Sequence, residues 1–69
     1  MADSVYKIIE LVGTSPDSWE DAAKNAVNKA SKTLRDLRIA EVIAMDMHLE
    51  DNKITCYRTK VKLSFKFDS

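Results

Sequence analysis

The sequence contains one cysteine, one glycine and one proline among 69 residues, and it has no excess of either charge. The single cysteine excludes a disulfide framework and any metal site built from several thiolates. The low glycine and proline content excludes a loop-rich scaffold. Eleven basic residues balance eleven acidic ones, whereas nucleic-acid-binding proteins usually carry a basic excess. We therefore expect no nucleic acid among the partners.

Long apolar segments are also missing. No segment approaches the ~20 consecutive apolar residues that a membrane-spanning helix needs. The opening residues 1–7 lack the basic and then apolar pattern of a secretion signal. We therefore expect a cytoplasmic protein that does not act at a membrane.

The remaining composition, 45% hydrophobic and 32% charged, is typical of a globular protein. The length predicts a single domain over residues 1–69. A chain of this size buries only about 60% of its unfolded surface. Short chains without disulfides usually gain the missing stability from a metal ion or from oligomerisation, so we expect one of these here.

Residue patterns divide the chain into a strand, a helix and two further strands. Residues 4–12 are rich in β-branched and aromatic side chains, as in a strand. From Ser18 to Leu34, apolar residues recur every three or four positions, which predicts an amphipathic helix. Strands over 39–49 and 54–67 are predicted to form a hairpin about Asp51-Asn52. The order predicts an α+β fold: a three-stranded antiparallel sheet wrapped on one helix, with the last strand in the middle.

The hairpin also predicts which side chains share a face of the sheet. Centring the turn on Asp51-Asn52 places Val42 opposite Val61 on the helix side. The same register places Asp46 and Glu50 on the helix side. On the other face it pairs Ile43 with Lys60, Met45 with Arg58 and Met47 with Cys56, and that face also holds Ile39 and Lys62. Apolar residues beside a row of cations are typical of an interface or a ligand-binding surface.

Four segments resemble the dodecin family: residues 5–15, 18–20, 30–34 and 65–67. The resemblance covers nearly the whole chain and includes the strand-helix-strand-strand order. It implies a small β-α-β-β protein that assembles into a hollow homododecamer, with helices outward and sheets inward. It also implies a protein that binds and stores a small ligand, in most dodecins a flavin, without catalysing a reaction.

The resemblance does not extend to the flavin-binding residues. In flavin-binding dodecins, a Trp at the start of the second strand stacks on the flavin ring and a Gln in the third strand hydrogen-bonds it. Here Ile39 and Arg58 stand at these positions. Ile39 has no flat aromatic face, and Arg58 donates hydrogen bonds but accepts none. A flavin alternative would place riboflavin or FMN in a modified pocket at Ile39, Met45 and Arg58.

Three segments, residues 42–47, 53–55 and 61–66, resemble the calcium-dodecin branch, which lacks that Trp. Asp46 matches this branch. Calcium takes about six to eight oxygen ligands, and a symmetric shell brings the same carboxylate of several chains together at an axis. We therefore expect a shell that binds calcium rather than flavin, with Asp46 and Glu50 as the ligand candidates. A structural shell without a specific ligand is a third alternative.

The other chemically capable residues favour structural roles. His48 is expected at the surface near the hairpin end, Cys56 as a small strand residue and Trp19 as an anchor in the core or between subunits. No acid, base and nucleophile come together in the pattern, so we do not expect an enzyme. Two roles stay open for Arg58, Lys60 and Lys62: phosphate binding, or salt bridges between chains with Glu10 and Glu41.

Overall fold

The computed structural model describes residues 4–67. Its elements are β1 (Tyr6–Ser15), α1 (Trp19–Ser31), β2 (Leu37–Glu50) and β3 (Lys53–Lys66). The strands form one antiparallel sheet in the order β1-β3-β2, and α1 packs chiefly on β1 and β3. The predicted α+β fold and the central position of the third strand are confirmed. Each element lies within one to three residues of its predicted bounds.

The junction between β1 and α1 is held by short polar side chains. Ser18 has extended backbone, and its hydroxyl accepts the Asp21 N–H at 3.0 Å, which makes Ser18 the N-cap. Ser15, which is buried, donates to the Asp21 carboxylate at 2.8 Å and accepts the Asp17 N–H at 2.9 Å. Asp21 and Glu20 also place negative charge in the first turn, where the helix dipole favours it.

The helix lies very close to β1 because the facing residues are small. A Cβ at Gly13 would collide with the Ala22 carbonyl oxygen and press on the Ala26 side chain. In the described part of the chain, the buried apolar residues are few and mostly small: Ala22, Ala26, Ala30, Val61 and Leu63. A core of this size leaves much of the sheet without cover.

The β2–β3 hairpin extends well beyond the helix. The molecule measures 55 × 20 × 14 Å, and its radius of gyration is 14.4 Å, against about 11 Å for a compact domain of this length. Every residue of β2 after Leu37 is exposed. In the described part of the chain, no helix is long and apolar enough to span a membrane.

The hairpin turn and the inner part of its register are confirmed. Asp51 and Asn52 have φ of 51° and 62°, the left-handed pair that a two-residue hairpin turn requires. Val42 lies opposite Val61, as predicted. Three irregularities interrupt the ladder, after Leu37, after Val42 and after His48, and the last one cancels the shift that follows Val42.

Residues 44–48 are therefore shifted by one pairing position. Asp46 lies opposite Arg58, and Met45 lies opposite the buried Thr59 on the helix side. Extra residues in a ladder move the side chains beyond them to the other face. The predictions of Asp46 on the helix side and of Met45 opposite Arg58 are wrong for this reason. So are the predicted pairs Ile43–Lys60 and Met47–Cys56, since Ala44 lies opposite Lys60 and Met47 opposite Tyr57.

Candidate ligand-binding site

The sheet face that points away from α1, here called the open face, carries most of the charged side chains of the sheet. Its cross-strand rows follow from the pairing of β3 with both neighbours. Towards the hairpin tip, these rows are Ile8–Ser64–Ile39, Glu10–Lys62–Glu41, Val12–Lys60–Ala44 and Thr14–Arg58–Asp46. The face therefore passes from a row with isoleucines on both sides of Ser64 to three rows with cations at the centre.

Asp46 and Arg58 form a two-point ion pair on the last of these rows. Arg58 Nε donates to Asp46 Oδ1 at 2.6 Å, and a terminal guanidinium nitrogen donates to Oδ2 at 2.8 Å. Such charge-assisted, two-point contacts are short and directional. The hydrogen bonds from Arg58 lower the pKa of Asp46, against a smaller opposing effect of desolvation, and the same bonds raise the pKa of Arg58. The carboxylate is therefore ionised and oriented.

The main chain of Asp46 is held from the other side of the sheet. The Trp19 indole N–H donates to the Asp46 carbonyl at 2.9 Å. Trp19 is itself fixed, because its ring meets Tyr57 edge-on at 4.9 Å and its carbonyl accepts the Thr59 hydroxyl at 2.8 Å. These contacts give Asp46 a fixed backbone beneath its side chain, and Trp19 itself is only partly buried.

A shallow cavity of about 210 Å³ opens beside the ion pair. Lys60 lines it, and its Nζ lies 3.7 Å from Glu10 Oε1 of the same chain. A pairing with Glu10, expected between chains, is therefore formed within one chain. The lining residues are Val12, Ala44, Asp46, Arg58 and Lys60.

The residues predicted for a flavin pocket do not meet in one chain. Ile39, 65% exposed, lies on the open face opposite Ser64. Arg58 shares this face but is six residues from Ser64 along β3, or about 20 Å. Met45 lies on the helix side, opposite Thr59. A flavin site formed from these three positions would need contributions from more than one chain.

The residues predicted for a metal site are both accessible carboxylates. The Glu50 side chain is 69% exposed at the end of β2, and its Oε1 lies 3.9 Å from His48 Nδ1. Asp46 is 56% exposed. Within residues 4–67, no three His, Cys, Asp or Glu side chains come close enough together to hold a metal ion.

The pairing of Asp46 with Arg58 was not predicted from the sequence. A strict alternation places them on opposite faces, and the position of a bulge is not visible in a period of two. One signal was present: opposite charges favour direct cross-strand positions, and a one-residue shift is the simplest way to align Asp46 with Arg58. The roles predicted for His48 and Cys56 agree with the structure, where His48 is exposed and bonded to Thr55 at 2.8 Å, and Cys56 is partly buried in β3.

Comparisons with known proteins agree with this architecture. The sequence model of the dodecin family matches residues 5–68. The chain is 48% identical to the calcium dodecin of Mycobacterium tuberculosis over 63 residues, which cover 91% of this chain and 89% of that protein. It is 34% identical to the dodecin of Thermus thermophilus over 64 residues, 93% of each.

Solved structures give the same result. The dodecin of Streptomyces coelicolor superposes with a TM-score of 0.93 at 38% identity, over 100% of this chain and 99% of that one. The calcium dodecin of M. tuberculosis, described as calcium-chelating with a novel calcium-binding site, superposes with a TM-score of 0.84 over 94% and 93% of the two chains. The agreement in sequence over nearly the whole length, and in the placement of the helix on the sheet, shows that this chain belongs to the dodecin family.

Proposed function

We propose that this protein is a calcium-binding dodecin, a homododecameric shell in the cytoplasm that binds a small ligand and is not an enzyme. The observation that carries the proposal is the position of Asp46. Its ionised carboxylate lies on the open face, and its backbone is anchored by Trp19. The 48% identity to a calcium dodecin supports the same ligand.

The Asp46 carboxylate is a suitable type of calcium ligand. One chain, however, supplies fewer ligands than a calcium ion requires. Calcium prefers carboxylate and carbonyl oxygens, about six to eight of them. Asp46 supplies the right oxygen type in an accessible position, and Glu50 is the second candidate. Symmetry supplies the missing number, because each copy of the chain repeats the same carboxylate around an axis.

Assembly is supported by the shape of the single chain. The hairpin extends past the small core, and β2 is exposed on both faces. Its exposed side chains include large apolar ones: Ile39, Val42, Ile43, Met45, Met47 and Leu49. Covering them in a symmetric shell would supply the burial that a chain of this length lacks on its own.

Thermal unfolding of the metal-depleted protein, with and without added calcium, tests the proposed ligand. Any ligand that binds only the folded state raises the unfolding temperature with its concentration. We expect calcium to raise it, magnesium to raise it less, and Asp46→Asn to remove the calcium effect. Asp51→Asn is the matched control, because it neutralises an exposed carboxylate at the hairpin turn and should leave the calcium effect unchanged.

Thermal unfolding with calcium, combined with a riboflavin titration, separates the alternatives. No calcium effect, together with quenching of riboflavin fluorescence at a fixed ratio of flavin to chain, would establish the flavin alternative. If calcium has no effect and riboflavin fluorescence is not quenched, the remaining alternative is a structural shell without a specific ligand.

A further inference from the structure

We propose that Arg58 is a built-in competitor for Asp46: calcium binds this carboxylate by displacing the Arg58 guanidinium, so Arg58 sets the calcium affinity of the site. The inference rests on the proposed function, since it concerns the same carboxylate. It assigns to Arg58 a role in ligand selection.

The first step of the argument is that both Asp46 oxygens are occupied. Arg58 Nε and a terminal nitrogen lie 2.6 and 2.8 Å from Oδ1 and Oδ2. Calcium binds carboxylate oxygens at about 2.3–2.6 Å, with one or both oxygens. A calcium ion at either oxygen would lie within a few ångströms of the guanidinium and repel it. The two cations therefore exclude one another at this carboxylate.

The second step is that Arg58 is held weakly enough to be displaced. The two side chains are 45% and 56% exposed, and exposed ion pairs contribute little because water and salt screen them. The cavity of about 210 Å³ beside the pair gives the guanidinium space to move. Asp46 is thus available to a divalent cation that several carboxylates attract together.

The third step is that the backbone of Asp46 keeps its place when Arg58 leaves. The Asp46 carbonyl is bonded to Trp19, which is fixed by Tyr57 and by the Thr59 hydroxyl. The indole ring is also the single tryptophan of the chain. An ion bound at Asp46 would lie near it, which makes Trp19 a reporter for this site.

Terbium, a luminescent substitute for calcium, tests the inference in the assembled, metal-depleted protein. The measured quantity is terbium emission on excitation of Trp19, followed during titration, with calcium then added as the competitor. We expect Arg58→Gln to lower the terbium and calcium concentrations at half-saturation by roughly two- to fivefold, the range set by a screened ion pair. Asp46→Asn, alone or combined with Arg58→Gln, should remove the emission.

Lys60→Gln is the matched control. It removes the same charge from the same cavity, but Lys60 is paired with Glu10 rather than with Asp46. Equal gains in Lys60→Gln and Arg58→Gln would overturn the inference, since a general change of charge would then explain both. Arg58→Lys keeps the charge but cannot form the two-point contact, and a gain between those of wild type and Arg58→Gln is expected. If Arg58→Gln does not assemble, Arg58→Lys carries the test, and an affinity equal to wild type would overturn the inference.

The outcomes also separate the inference from the function. Calcium binding that survives Asp46→Asn would overturn the inference and leave a calcium-binding protein with other ligands. Binding in Arg58→Gln but not in wild type would support Arg58 as the competitor and overturn the proposed function. Absence of binding in every variant would overturn both.

Discussion

Asp46 shows how one neighbouring side chain determines the state of a candidate ligand. Its hydrogen bonds with Arg58 lower its pKa, so it remains ionised to lower pH than an ordinary aspartate. The lowered pKa determines how the stability of the fold depends on pH. The pair stabilises the fold above the usual carboxyl pKa of about 4, and this contribution is lost as the pH falls through the lowered pKa of Asp46.

Arg58→Gln should therefore raise the pKa of Asp46 towards its ordinary value, because the charge-assisted hydrogen bonds are lost. Titration of the Asp46 side-chain carboxyl carbon by NMR measures the change directly. Lys60→Gln serves as the control and should shift this pKa less. An Asp46 pKa that is the same in wild type and Arg58→Gln would contradict the ion pair.

Gly13 is a residue whose small size the helix requires. Gly13→Ala should lower the free energy of unfolding by about 1–3 kcal/mol, since the added Cβ meets the Ala22 carbonyl and overpacks the contact. Urea unfolding at a fixed protein concentration measures this. Thr14→Ala, at the next and exposed position of β1, should cost less, and equal losses would show that the close approach of α1 to Gly13 is not the cause.

At the scale of elements, regular patterns were predictable and their interruptions were not. The recurrence of apolar residues every three or four positions located α1. The clean alternation of β3 placed Arg58, Lys60 and Lys62 on one face. β2 is apolar at each of positions 42–45. This run gives no signal for which residue is extra, so the faces of Met45 and Asp46 were assigned the wrong way round. The residues that share each face of the sheet were therefore predicted only in part.

The α1 N-terminus offers a test at this scale. Ser18→Ala should lower the free energy of unfolding by about 1 kcal/mol, because the Asp21 N–H loses its acceptor. Ser18→Asp restores a capping oxygen and should recover most of the loss. Urea unfolding of the two variants compares them, and an equal loss in both would contradict the capping role.

At the scale of the whole molecule, the protein has the elongated shape of a subunit in an assembly rather than that of a compact monomer. Among residues 4–67, five small or medium apolar residues are buried, while the hairpin extends the molecule to 55 Å. Twelve copies of a 7.8 kDa chain amount to about 94 kDa. Sedimentation at micromolar concentration should give a particle near that mass. A folded 7.8 kDa monomer would contradict the proposed assembly.

Calcium binding by the assembled protein is the central claim, and a calorimetric titration of the metal-depleted shell tests it most directly. The account predicts saturable heat at a fixed ratio of calcium to chain, with the signal lost in Asp46→Asn and kept in Asp51→Asn. A titration of the intact shell without saturable heat would contradict it.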